Sequence, residues 1–231
     1  MTSQFVLPFA KEPVLNSATF LIAPCNEQAF QFVSRWPDWP ASAAALYGPS
    51  GCGKTHLANI WRLASGARIV RAHDLVCIFA GAQAGSDRWL IEDVDREPPD
   101  SNRDRVLIEL FDRGTPMLLT GRTRPSQWNA TTGDWKSRLQ SLVSFELWSP
   151  DDAFLSRLVS RHFAERQLDV PAAVVKHILN SVERTPAAIA RFIDCVDHTA
   201  LSEKRPISLR LVMQIVGEEQ PVMSVGADHH P

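Results

Sequence analysis

Ala43-Ala44-Ala45-Leu46-Tyr47-Gly48-Pro49-Ser50-Gly51-Cys52-Gly53-Lys54-Thr55 decides how this chain is read. Five apolar residues in a row fit a buried parallel strand. They run straight into a turn that matches GxxxxGK[ST] in full, and residues 55–64 then take up helical spacing. A strand before and a helix after is the context in which this motif cradles phosphates. Its glycines let the backbone curl, so that several N–H groups converge on one anion. The following helix adds the positive end of its dipole. Lys54 is expected to reach the β- and γ-phosphates of ADP or ATP, and Thr55 to offer a hydroxyl to Mg²⁺. Gly48, Pro49, Ser50, Gly51, Cys52, Gly53, Lys54, Thr55 and the adjacent His56 are therefore the candidate nucleotide-binding residues. Cys52 occupies a variable loop position, and His56 is expected to be packed or hydrogen-bonded rather than catalytic.

Outward from this loop, short apolar runs alternate with helical patterns. Further strands are predicted at 68–72, 89–91, 116–120 and 143–147. An amphipathic helix is predicted over 100–113, with Val106, Leu107, Leu110 and Phe111 inward. Residues 20–36 read as a strand or loop entering a helix, with Asn26 as N-cap and Phe30 and Val33 on one face. After Ser149-Pro150 only helices are predicted, at 153–166, 172–181, 186–201 and 208–216. Alternating strand and helix followed by helices alone means an α/β domain with a parallel sheet, then a small all-helical domain. The expected divisions are a tail at 1–12, the α/β domain at 13–150, the helical domain at 151–217 and a polar tail at 218–231.

The bulk numbers agree with a globular chain of 231 residues. Hydrophobic content is 45% and charged content 22%, which suits a protein with a sizeable core. A formal charge of −2 supplies no overall positive field toward nucleic acid or membrane. The four cysteines, Cys25, Cys52, Cys77 and Cys195, lack the CxxC spacing of a zinc site or redox pair. No apolar run is long enough to span a bilayer, and the N-terminus lacks a basic-then-apolar leader. A cytoplasmic location is the expectation. The seven tryptophans are read as core and interface packing rather than base-stacking platforms.

Trp89-Leu90-Ile91-Glu92-Asp93 is the second chemical signal: an apolar strand ending in two acids. At the carboxyl edge of a parallel sheet, beside a phosphate loop, such acids hold Mg²⁺ and polarise an attacking water. A strand ending in acids is common, so the weight comes from its position after the loop. Glu92 with Thr55 is the candidate metal set, and Glu92 with Asp93 the candidate hydrolytic set.

Taken together, these motifs resemble the AAA+ ATPases, and within them the DnaA family. Gly53-Lys54-Thr55-His56-Leu57 is similar to the family's phosphate loop. Leu118-Leu119-Thr120-Gly121-Arg122, with Pro125 and Asn129 after it, resembles a sensor-1 strand of Hda-type members. Asp134-Trp135-Lys136-Ser137-Arg138-Leu139 resembles the segment that carries an arginine finger. Glu183-Arg184-Thr185 opens a lid helix where the family has its sensor-2 arginine. The resemblance covers about residues 20–216 and implies an AAA+ P-loop domain followed by a helical lid. It implies Arg138 as a finger acting in trans and Arg184 as a nucleotide contact. For both, a solvated surface arginine is the rival reading, and Arg191 competes with Arg184.

Two expected omissions point to the Hda type rather than to an initiator. The chain stops soon after Val216, leaving no room for a helix-turn-helix domain. Only residues 74–87 separate the second and third strands, too few for the family's helical insertion. Gln4-Phe5-Val6-Leu7-Pro8-Phe9 resembles the peptide by which Hda-type proteins bind the replicative sliding clamp. Leu7 and Phe9 would anchor in an apolar pocket, with Gln4 hydrogen-bonding at its edge and Phe5 and Pro8 completing the segment. A first β-strand or an unstructured tail is the rival. The partners so implied are DnaA and the beta sliding clamp of DNA polymerase III, with DNA reached through the clamp and no membrane; a homodimer stays open. The resemblance implies a regulator that stimulates hydrolysis of DnaA-bound ATP and so limits re-initiation. A DnaC-like helicase loader is the alternative, and a small-molecule P-loop kinase a weaker one. Three residues depart from the DnaA pattern: Glu92 and Arg122 each replace an expected acid (Asp at the first), and Asp134 replaces a basic residue. They put the chain's own hydrolysis in doubt.

Overall fold

The computed structural model describes residues 20–80 and 88–218. They fall into two compact units, divided between Ser149 and Pro150. Within the first, strands β1 (Ala43–Tyr47), β2 (Arg68–Arg71), β3 (Trp89–Glu92), β4 (Met117–Gly121) and β5 (Val143–Glu146) form one parallel sheet in the order β2-β3-β4-β1-β5. All five residues of β1 are buried, as are all five of β4. These central strands are covered on both faces, which is why their sequences read as unbroken apolar runs.

One face carries α1 (Glu27–Ser34) and α2 (Lys54–Ser65), packed on Leu46, Leu90 and Leu118. Trp61 is fully buried there and stacks on Trp39 at 5.2 Å between centroids. The other face carries α3 (Leu75–Ala80), α4 (Ser101–Asp112) and α5 (Gly133–Ser141), with Ala45, Ile91 and Leu119 beneath them. Four of the seven tryptophans, Trp61, Trp89, Trp128 and Trp135, are buried.

Asn26 is the N-cap of α1, but its side chain does not cap the helix. Its Oδ1 accepts from the Ala23 N–H at 3.0 Å and its Nδ2 donates to the Leu21 carbonyl at 3.0 Å, so it ties the incoming chain back on itself. The buried face of α1 is Ala29, Phe32 and Val33. Phe30 is only partly buried.

The second unit contains α6 (Asp152–Ala164), α7 (Ala172–Ser181), α8 (Pro186–Ser202) and α9 (Leu209–Glu218), with no strand among its described residues. Its core includes Leu155, Phe163, Ile178, Phe192 and Leu211. Asp151 caps α6 through the Phe154 N–H, and Thr185 caps α8 through the Ala188 N–H. No helix among the described residues is long and apolar enough to cross a membrane.

Candidate functional site

Parallel strands bring their carboxyl ends to one edge of the sheet, and that edge gathers the chemistry. The loop after β1 opens at Gly48, with φ 146°, and a Cβ there would lie 2.0 Å from the Leu147 carbonyl oxygen. No other residue fits so close an approach. Gly51 and Gly53 also have positive φ, 76° and 102°. Gly53 is the N-cap of α2 and supplies no side-chain cap, which leaves first-turn N–H groups of that helix without a side-chain acceptor. Lys54 folds back over the loop. Its Nζ donates to the Gly48 carbonyl at 2.7 Å and the Pro49 carbonyl at 2.8 Å, and approaches Cys52 Sγ at 3.8 Å. Positive-φ glycines, a helix start with no side-chain cap and an ammonium folded over the loop are features that suit a polyphosphate. Cys52 is buried, and burial pushes its thiol pKa up against the opposing charge of Lys54. His56 packs edge-on against Phe20 at 5.1 Å.

The acid-bearing strand meets the loop at Thr55. Thr55 and Glu92 are joined by a side-chain hydrogen bond. Burial, then the charge of Asp93, raises the Glu92 pKa; the Thr55 hydroxyl and Arg71 oppose that shift. Asp93 has φ 57°, in the left-handed region. It is held there by Thr120, whose Oγ1 accepts from the Asp93 N–H at 3.1 Å and whose carbonyl accepts from Val94 at 2.9 Å. Beside these acids lies a polar cleft of about 190 Å³, lined by Arg71, Ala72, His73, Glu92, Asp93, Arg96 and Glu97. No cluster of three or more His, Cys, Asp or Glu among the described residues could hold an ion alone. A hydroxyl bonded to a carboxylate next to a phosphate loop still suits Mg²⁺ that takes further ligands from nucleotide oxygens and water.

Two residues at this edge, Asp95 and Arg124, were not read from the sequence. Asp95 Oδ2 accepts from the N–H groups of Arg122 and Thr123, at 2.7 and 2.8 Å, and from Thr123 Oγ1 at 2.9 Å. It thereby fixes the turn that follows β4. Arg124 donates from Nε to the Tyr47 hydroxyl at 3.2 Å, with its guanidinium 5.8 Å from that ring. Tyr47 immediately precedes Gly48, so Arg124 sits at the root of the phosphate loop. The signal available was an acid two residues beyond Asp93 and an arginine two beyond Arg122, but single charged residues in turns carry little information until their partners are known. The Arg122 side chain itself is exposed.

Arg138 lies elsewhere. It donates from Nε to both carboxylate oxygens of Asp134, at 3.2 Å each, and from Nη1 to Asp112 Oδ1 at 2.6 Å. Asp112 is the last residue of α4, and β4 begins at Met117. Arg138 is therefore toward the end of the sheet where strands begin, opposite the edge that holds the phosphate loop. In the second unit Arg184 precedes the α8 cap and pairs with Asp152 at 2.5 Å; Arg191 pairs with Glu183 at 3.8 Å. Residues 4–9 lie outside the described residues.

A parallel sheet in the order 2-3-4-1-5, with a phosphate loop after its first strand, acids after its third and a small helical unit following, defines a P-loop protein of the AAA+ fold. The chain has the fold of domain III of DnaA: the Thermotoga maritima domain superposes with a TM-score of 0.67 at 16% identity, over 90% of this chain and 98% of that one. A DnaA bound to AMPPCP and single-stranded DNA gives 0.65 at 15% identity, over 83% and 68%. By sequence the chain is similar to the chromosomal replication initiator protein DnaA of Desulfotalea psychrophila, 21% identical over 235 residues, covering 90% of this chain and 49% of that protein. The chain thus spans about half the length of the curated relative it matches. No family model matches the chain.

Proposed function

We propose that this protein is an Hda-like regulator of replication initiation. In this reading it binds ADP or ATP in the 48–55 loop, with Lys54 and the loop amides on the phosphates and Thr55 and Glu92 holding Mg²⁺. It binds the sliding clamp through residues 4–9 and inserts Arg138 into the ATP site of DnaA. Hydrolysis of that ATP leaves DnaA in its ADP form and limits re-initiation. Mg²⁺, where bound, neutralises charge that builds up between the phosphates. Lys54 and the helix terminus orient them, and Arg184 would report nucleotide state from the helical unit.

The observation that carries the reading is the position of Arg138. A finger that served this chain's own nucleotide would need to sit at the phosphate-loop edge. Arg138 is toward the opposite end of the sheet, where it is of use to a second molecule. Fingers supplied in trans accelerate other NTPases by about 10³–10⁵, so one residue suffices to carry such a function. The deciding experiment measures ATP-to-ADP conversion on the same organism's DnaA, with clamp loaded on primed DNA, with and without this protein. Stimulation that disappears in Arg138→Ala supports the proposal. Full stimulation by Arg138→Ala would overturn it. Strong DNA-dependent turnover by the purified chain alone would instead favour a helicase loader.

A further inference from the structure

The immediate surroundings of Arg138 are unusual for a residue meant to reach another molecule. Its side chain is only 22% exposed. The guanidinium lies 5.2 Å from the Phe111 ring, so it is folded down onto α4 rather than extended. Nε is spent on Asp134 and Nη1 on Asp112. One arginine against two carboxylates leaves the cluster at −1, a charge that repels phosphate.

Asp134 is explained locally. It lies in the first turn of α5, where an acid is favoured by the dipole, and it precedes Arg138 by four residues. Asp112 is not explained that way. It ends α4, where an acid opposes the dipole, and the last turn of α4 holds no basic residue to offset it. Its short bond to Arg138 is the compensating contact.

We infer that Asp112 and Asp134 form a carboxylate latch that stows Arg138 on its own chain, and that the finger is released preferentially to a polyphosphate anion able to displace Asp112. This rests on the trans-finger reading above and adds a selection step to it. Two acids hold the guanidinium against single carboxylates and isolated phosphates. A nucleoside triphosphate in a partner's site carries enough charge, and enough oxygens for the planar fork, to win the exchange.

The test uses the full chain in the DnaA-ATP conversion assay with clamp-loaded DNA, comparing Asp112→Asn, Arg138→Ala and the double variant. Half-exposed ion pairs are weak, so Asp112→Asn is expected to lower the concentration needed for half-maximal stimulation by about two- to fivefold. The maximal rate should change little, and the double variant should be as inactive as Arg138→Ala. Thermal melting separates this from general damage: Asp112→Asn should melt no lower than the parent, because an acid leaves a helix C-terminus. If Arg138→Ala is inactive but Asp112→Asn is unchanged or weaker, the carboxylates position the finger and the latch is refuted. If Arg138→Ala is fully active, the finger reading itself has failed.

Discussion

Lys54 shows how little of a site one residue needs to define. Its ammonium is held by two loop carbonyls, within reach of whatever the loop's amides bind. Lys54→Ala removes that charge without touching the core. It should lower ADP and ATP affinity by about 100-fold, the loss of one or two charge-assisted hydrogen bonds, as read by calorimetric titration. Unchanged affinity would rule out the phosphate-loop assignment. Glu92 makes a prediction about pH. Burial and the Asp93 charge raise its pKa, so the folded chain holds this proton to higher pH than the unfolded chain does. The group's contribution is fully present below the ordinary glutamate value and is lost as pH rises through the folded value. Glu92→Gln carries no such loss. The variant should melt above the parent near pH 7, and that advantage should shrink as pH falls below the ordinary glutamate value, where the Glu92 carboxyl takes up its proton. Equal melting temperatures at both pH values would show that the carboxylate carries no such penalty.

At the scale of elements, legibility followed the apolar pattern. β1, β3 and β4 are buried runs bounded by turns, and the sequence places them to within a residue or so of their observed ends. α5 was not legible as a helix, because Gly133–Ser141 offers only Trp135 and Leu139 as buried residues, too few to display a period. What holds it in place is tertiary. Thr132 caps it through the Trp135 N–H, and the preceding Thr131 donates its N–H and its hydroxyl to Asp104 Oδ2, both at 2.7 Å. Asp104 is fully buried on α4, and its Oδ1 has no protein partner. A sequence reader sees an acid on an amphipathic helix and assigns it to the solvent face. Asp104→Ala should cost about 1–2 kcal/mol by removing both hydrogen bonds that tie Thr131 to α4, a fall of roughly 3–8 °C in melting temperature. It should also loosen α5, so amide exchange in 133–141 should rise more than in β1 or β4. Uniform exchange across the unit would mean that α5 does not depend on this anchor.

For the whole molecule, the strand order and the distance between phosphate loop and Arg138 could not be read from local pattern, because both depend on which strands pair across the sheet. That arrangement lets clamp binding and finger chemistry be tested separately. In the proposed function the tail at 4–9 only raises local concentration on DNA, whereas Arg138 acts on the phosphates themselves. Tethering through a short linker gives an effective concentration up to the millimolar range, and contributes nothing to the bound transition state. Replacing Leu7 and Phe9 by Ala should therefore abolish stimulation at low protein concentration and spare nucleotide binding. Raising the concentration of this protein should restore the rate, because the missing tether is replaced by mass action. Arg138→Lys should behave differently. Lysine keeps the charge but loses the planar fork that meets two phosphate oxygens at once. Its maximal rate should stay close to that of Arg138→Ala at every concentration, although it folds, binds nucleotide and binds clamp as the parent does. A tail variant that no concentration rescues would mean that the clamp does more than tether. An Arg138→Lys protein that reaches the parental maximum would show that charge alone is enough, and would remove the geometric basis for a finger.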